Sequence, residues 1–177
     1  MLSEWEKFRG WKVLEFFLKH PDTRIHLKGL SRKLKISPMT AGMYLGAYQK
    51  DKILEKEKIA NADFYRLNNL HPLAKSLKRA YIISIICKYL PAGDSISSVA
   101  LFGSCAEGSY DEKSDADILI IVAAEQKIDA TKLMNASPLE VNMAVFTIPK
   151  WIEAKKRKTH FSEGVLGNHV ILYGNEL

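Results

Sequence analysis

Apolar residues recur at helical spacing through the first part of the chain. Trp5, Phe8, Trp11, Leu14 and Leu18 stand three or four apart, with Phe17 beside them. That spacing predicts an amphipathic helix stopping near His20, before Pro21. Ser3 and Glu6 match a capping box at its start. Leu27, Leu30 and Leu34 predict a second helix over 27–35, and a break follows at Ile36-Ser37. A third helix is expected over Pro38–Lys50, with Ser37 as cap, Pro38 in its first turn, and Ala41, Leu45 and Tyr48 facing inward. The pattern then changes: 53–59 and 64–67 read as two strands around the loop Ala60-Asn61-Ala62-Asp63. Helical spacing returns after His71-Pro72 through Leu73, Ala74, Leu77, Ala80, Tyr81, Ile85 and Tyr89, and Pro91-Ala92-Gly93 ends it. Ile82, Ile83, Ile86 and Cys87 widen that helix's apolar face, so Cys87 reads as a core residue.

Beyond residue 95 the apolar stretches are short and strand-like. Ile96–Phe102 runs directly into Gly103-Ser104. Ten residues later Asp115-Ala116-Asp117 opens the apolar run Ile118-Leu119-Ile120-Ile121-Val122. Another strand-like run, Leu139-Glu140-Val141-Asn142-Met143-Ala144-Val145-Phe146, carries one carboxylate. Val170-Ile171-Leu172-Tyr173-Gly174 is the last apolar run. A helix is expected after Pro149, carrying Lys155-Lys156-Arg157-Lys158.

The 177 residues are 47% apolar and 26% charged, as in an ordinary globular protein of one large or two small domains. The longest nearly apolar run, 81–90, is broken by Ser84 and Lys88, too short for a membrane span. No membrane partner is therefore expected. The first residues are acidic and lack an apolar signal segment, and Cys87 and Cys105 are too few for a disulfide framework. The reducing cytoplasm is the expected location. The net charge of +6 hides an asymmetry: residues 1–90 hold 18 basic and 8 acidic residues, and residues 91–177 hold 8 and 12. A basic part joined to an acidic part suggests two domains with different partners, the basic one suited to nucleic acid or another polyanion.

The chemistry is concentrated in the second half. Residues i and i+2 of a strand share a face, so Asp115 and Asp117 can grip one cation. Glu140 is a third carboxylate on a strand, and such groups are costly to bury without a cation among them. Oxygen ligands of this kind suit Mg²⁺ or Mn²⁺ shared with substrate phosphates. Gly103 permits close backbone approach, and Ser104 with the following N–H groups can hold a phosphate. Cys105 has no partner nearby in sequence, and His160 and His169 lack ligand spacing.

Leu101-Phe102-Gly103-Ser104 followed by Ser114-Asp115-Ala116-Asp117-Ile118-Leu119 resembles the signature of the polymerase-beta-like nucleotidyltransferase superfamily, most nearly its minimal group. The resemblance covers about residues 93–177. It implies a mixed sheet with flanking helices, nucleotide phosphate on Gly103 and Ser104, and metal on Asp115 and Asp117. It also implies a third carboxylate on a later strand, for which Glu140 is the candidate. The implied reaction moves a nucleoside monophosphate, AMP above all, from ATP or another nucleoside triphosphate to an acceptor hydroxyl. Minimal members are similar to antitoxins that modify a HEPN-type toxin, so a protein acceptor is part of the expectation. One departure is plain: where members often carry a basic residue after Gly-Ser, this chain has Cys105-Ala106-Glu107-Gly108.

The order helix, helix-turn-helix, hairpin over the first part resembles winged-helix regulators. Lys33, Lys35, Lys50, Lys52, Lys56 and Lys58 would face DNA phosphates. At the start of the third helix, Thr40 is the one hydrogen-bonding side chain among Pro38, Met39, Gly42 and Met43. Lysines position a protein on DNA without reading its sequence. A winged helix serving protein contacts or a homodimer is the competing reading. The expectation is an α+β chain: a winged helix-turn-helix over 1–70, a linking helix over 71–92 and a nucleotidyltransferase-like domain over 93–177. The alternative to an enzyme is a DNA-binding regulator whose second domain only binds nucleotide or a partner protein.

Overall fold

The structure, a computed structural model, describes residues 7–90 and 95–177. The Ser3/Glu6 capping pair and the Pro91-Ala92-Gly93 stop lie outside the described residues. The chain divides into two compact units, Met1–Leu77 and Lys78–Leu177.

In the first unit α1 (Arg9–Lys19) buries Val13, Leu14, Phe16, Phe17 and Leu18. It closes where the His20 N–H bonds the Phe16 carbonyl. A two-residue strand, β1 (Ile25–His26), leads into α2 (Leu27–Leu34). The His26 Nδ1 accepts from the Gly29 N–H and caps that helix. Lys35, in the left-handed region at φ 53°, ends it. α3 (Pro38–Lys50) begins with the Ser37 hydroxyl accepting from the Thr40 N–H at 3.1 Å. Ala41 and Leu45 are buried, and the Tyr48 hydroxyl donates to the Gly10 carbonyl, fixing α3 to α1. Strands β2 (Leu54–Ile59) and β3 (Ala62–Leu67) pair antiparallel as far as Ile59 opposite Ala62. The turn is therefore Ala60-Asn61, shorter than the expected four-residue loop. Ala60 accepts φ 52° to make it, and the Lys56–Asp63 ion pair at 2.9 Å staples the ladder just below. β1 adds a third strand against β3.

Helix α4 (Pro72–Tyr89) crosses the division between the units. Its buried line is Ala74, Lys78, Tyr81, Ile82 and Ile86. Cys87 is exposed, which corrects its expected place in the core: it follows Ile86 by about 100° of helix rotation, off the buried face. Among the described residues no helix is long and apolar enough to cross a membrane.

The second unit is a four-stranded mixed sheet in the order β6-β5-β4-β7. β4 (Ile96–Phe102) runs antiparallel to both β5 (Asp115–Val122) and β7 (His169–Gly174). β5 pairs parallel with β6 (Glu140–Thr147), and the crossover between them carries α6 (Thr131–Ala136). A short helix, α5 (Gly103–Glu107), follows β4. Helices α7 (Ile148–Lys156) and α8 (His160–Gly167) precede β7. On one sheet face Ala100, Leu119 and Ile121 pack with Trp151 and Val165, joined by Phe102, Phe146 and Phe161. This mixed α+β architecture is consistent with the expected nucleotidyltransferase-like fold.

Candidate functional site

The chain leaves β4 at Phe102 and turns at once through Gly103, at φ 68°. A Cβ at Gly103 would lie 2.8 Å from the Asp117 Oδ2. Glycine is required there twice over, by its backbone angle and by the carboxylate against it. The same closeness brings the Gly103-Ser104 turn and the Asp115-x-Asp117 strand together in space. Ser104 is partly exposed at the start of α5.

One contact ties α5 to the start of β5, and further bonds brace the loop between them. Cys105 is buried and its Sγ lies 3.5 Å from the Asp115 carbonyl. Burial, and next the charge of Asp117, push its thiol up to about 12. It stays protonated near neutral pH, which removes it as a nucleophile. In the following loop the Asp111 carboxylate accepts from the Ser114 hydroxyl and the Lys113 N–H. The hydroxyl bond first, then the N–H, holds Asp111 below the usual carboxylate range. Glu107, whose charge would oppose a triphosphate, instead accepts from the Ser109 hydroxyl at 3.0 Å.

Asp115 and Asp117 share a face by strand alternation. The register sets Glu140 opposite Asp115 and Asn142 opposite Asp117. Glu140 is exposed. The side chain that reaches both aspartates is that of Asn142, whose Nδ2 donates to Asp115 Oδ2 at 2.9 Å and to Asp117 Oδ1 at 3.4 Å. Among the described residues no three His, Cys, Asp or Glu side chains converge as a metal-binding group. β6 thus presents the Asn142 amide to both aspartates, while Glu140, the expected third ligand, stands in register with Asp115 and is exposed. Asp117 titrates above its ordinary value because burial disfavours its charge; Asn142 opposes that, and Asp115 adds like-charge repulsion. Two carboxylates of this kind fit one divalent cation, with a nucleotide's phosphates supplying further oxygens.

Behind this site lies a group that sequence reasoning missed. Lys78 is fully buried. Its Nζ donates to the Tyr110 carbonyl and sits 4.5 Å from the centre of the Tyr110 ring. Lys78 thus anchors the loop joining α5 to β5. The signal was present: Ala74, Lys78, Ile82 and Ile86 stand four apart, so the lysine belongs to the apolar stripe. Asn142 had a signal too, since it shares a strand face with Glu140, but its partner emerges only from the parallel register.

The remaining sequence candidates scatter. Lys155 lies over the Trp151 ring and Arg157 pairs with Glu153. The His169 Nδ1 lies 3.1 Å from the Val165 carbonyl. In the first unit Lys33 sits over the Phe16 ring. Lys35 ends α2, Lys50 and Lys52 leave α3, and Lys56 and Lys58 alternate on β2. Lys56 is engaged by Asp63, and the Thr40 hydroxyl is 2.8 Å from that of Ser37. Met39 and Met43, by contrast, are exposed on α3.

Residues 79–172 match a family model described as a nucleotidyltransferase domain. A candidate protein adenylyltransferase of Methanocaldococcus jannaschii is 36% identical over 76 residues, covering 41% of this chain and 74% of that protein. Among solved structures, a toxin–antitoxin crystal structure with AMP-PNP aligns at 21% identity and a TM-score of 0.38, over 55% of this chain and 74% of that one. Reduced HlyU from Vibrio cholerae aligns at 18% identity and a TM-score of 0.31, over 46% of this chain and 98% of that one. At TM-scores below 0.5 neither structural likeness bears on fold or function.

Proposed function

Because the chain belongs to the nucleotidyltransferase domain family, we propose that it transfers AMP from ATP to a hydroxyl of a partner protein, in a reaction that needs a divalent cation. The observation that carries this reading is the approach of Gly103 to Asp117, which joins a phosphate-cradling turn to a cation-binding strand pair. The protein acceptor rests on the M. jannaschii relative's description as a protein adenylyltransferase. A HEPN-type toxin is the acceptor class that the sequence resemblance points to.

In this reading Gly103 lets the triphosphate approach the backbone, and the Ser104 hydroxyl donates to a phosphate oxygen. Asp115 and Asp117 hold Mg²⁺ or Mn²⁺, which when bound neutralises phosphate charge and orients the triphosphate. The acceptor oxygen attacks the α-phosphorus, a new P–O bond forms, the α–β phosphoanhydride bond breaks and pyrophosphate leaves. Glu140, exposed and in register with Asp115, takes the hydroxyl proton. Incubating the protein with α-labelled ATP, Mg²⁺ and the product of a neighbouring gene should place label on protein. Nucleotide binding without transfer to any acceptor, itself included, would favour the second reading, a nucleotide-sensing domain. The specific observation favouring that reading is Asn142 standing against both aspartates.

For the first unit we propose a winged helix that binds duplex DNA through phosphates. The exposed lysines at the ends of α2 and α3 supply the charge. Met39 and Met43 on α3 offer no hydrogen bonds to base edges. Gel shifts with the whole chain should therefore show binding with a steep salt dependence and little sequence preference. Each lysine that reaches a phosphate adds ~0.9 to the slope of log affinity against log salt. Changing Lys50 and Lys52 to Ala should lower that slope by about 2. Absence of binding even at low salt would instead favour protein contacts or a homodimer through this unit.

A further inference from the structure

The Asp115/Asp117 face carries two negative charges and one amide. Asn142 reaches both carboxylates, while Glu140, on the same strand face, is exposed, and among the described residues no third acid converges with the pair. Two carboxylates balance one divalent cation. An amide brings no charge and offers a single carbonyl oxygen. A second divalent ion at this face would have to be held by phosphate and water alone.

We propose that Asn142 restricts this site to one tightly held divalent cation, so that the protein binds a cation–nucleotide complex firmly and recruits a second cation only at high concentration. This inference rests on the nucleotide-binding reading above. It separates two events that three carboxylates would join. Nucleotide binding depends on Asp115, Asp117 and the phosphates. Activation of an acceptor hydroxyl by a second ion depends on a third acidic ligand, and among the described residues none converges with the pair. Asn142 has a further effect in the cation-free protein. Its N–H groups bridge two like charges that would otherwise repel. A carboxylate in its place would put three negative charges together.

Two readouts besides activity follow. In the first, the full chain is saturated with α,β-methylene-ATP, which cannot be cleaved at the α–β bond, and titrated with Mn²⁺ under electron paramagnetic resonance. Wild type should hold one Mn²⁺ tightly per nucleotide. Asn142→Asp should hold two, the second tightened ~10-fold or more, the scale on which even the outer partners of a metal site act. In the second readout, cation-free Asn142→Asp should melt below wild type, and Mn²⁺ should restore it by a larger shift than it gives wild type. Asn142→Leu, which removes the amide without adding charge, should stay at one ion. Glu140→Gln should leave the wild-type count at one.

Two ions of equal affinity in wild type would overturn the inference, and so would an Asn142→Asp count that stays at one. A wild-type count of two that falls to one in Glu140→Gln would overturn it by showing Glu140 to be the third ligand. These results leave the nucleotide-binding reading intact. Failure of wild type to bind the analogue at all overturns both.

Discussion

Replacing Asp115 and Asp117 together by Asn should abolish cation-dependent nucleotide binding and leave the chain folded. The two side chains share one strand face, and among the described residues neither forms an ion pair; both accept from the Asn142 amide. Removing a divalent cation's carboxylate ligands takes away the charge that offsets the phosphates. Changing only the hydrogen-bond partners of metal ligands costs ~10–100-fold in metal affinity, so loss of both ligands should exceed ~100-fold. Calorimetric titration of ATP with and without Mg²⁺ reads this directly: the affinity gain conferred by Mg²⁺ should vanish. An unchanged Mg²⁺ effect would remove these residues from the site.

The same variant has a stability signature whose sign is fixed. Asp117 titrates above its ordinary value in the folded chain, chiefly through burial. The folded state therefore binds the proton more strongly than the unfolded state does. Such a group makes the cation-free protein less stable as pH rises from the ordinary carboxylate range through the raised value. The double Asn variant should lose that decline and melt no lower than wild type at neutral pH without metal. A loss of stability at neutral pH would mean that the carboxylates hold the fold together, contrary to their place at a binding site.

The sequence makes some of this architecture readable because local chemistry decides it. Ser37-Pro38 starts α3 where a cap and a fixed proline angle require. The Gly103-Ser104 pair and Asp115-x-Asp117 are joined in space by a turn and a strand, both local. What escapes depends on partners distant in sequence. β1 is two residues long and exists only because β3 offers Tyr65 and Phe64 as partners. Asn142 gains meaning from the parallel register of β5 and β6, which no single strand encodes. Cys87 reads as apolar surface to be buried, but the buried face of α4 is set one residue away by Ile82 and Ile86. Lys78 escapes for the opposite reason: a lysine is expected on the surface, and its contacts to the Tyr110 carbonyl and ring appear only in the fold.

That buried lysine yields the largest expected effect on stability. Lys78→Ala removes a four-carbon stem from a fully buried position and leaves the Tyr110 carbonyl without this donor. Large-to-small core changes of this size cost about 2–5 kcal/mol, and the lost hydrogen bond adds about 1 kcal/mol. Relief from burying an ammonium offsets part of this, so a net loss of about 3 kcal/mol is expected. Lys78→Met keeps the stem's volume and removes the buried charge, so it should cost much less than the alanine change. The contrast separates filling from bonding. Hydrogen exchange at the β4 and β5 amides, which reports on the second unit, should show opening far more readily in the alanine variant. Because Lys78 anchors the loop between Gly103-Ser104 and Asp115, the alanine variant should also bind Mg²⁺–ATP more weakly at temperatures where it remains folded. If Lys78→Met proved as damaging as Lys78→Ala in both measurements, the bond to the Tyr110 carbonyl, rather than the packing of the stem, would be what holds the loop in place.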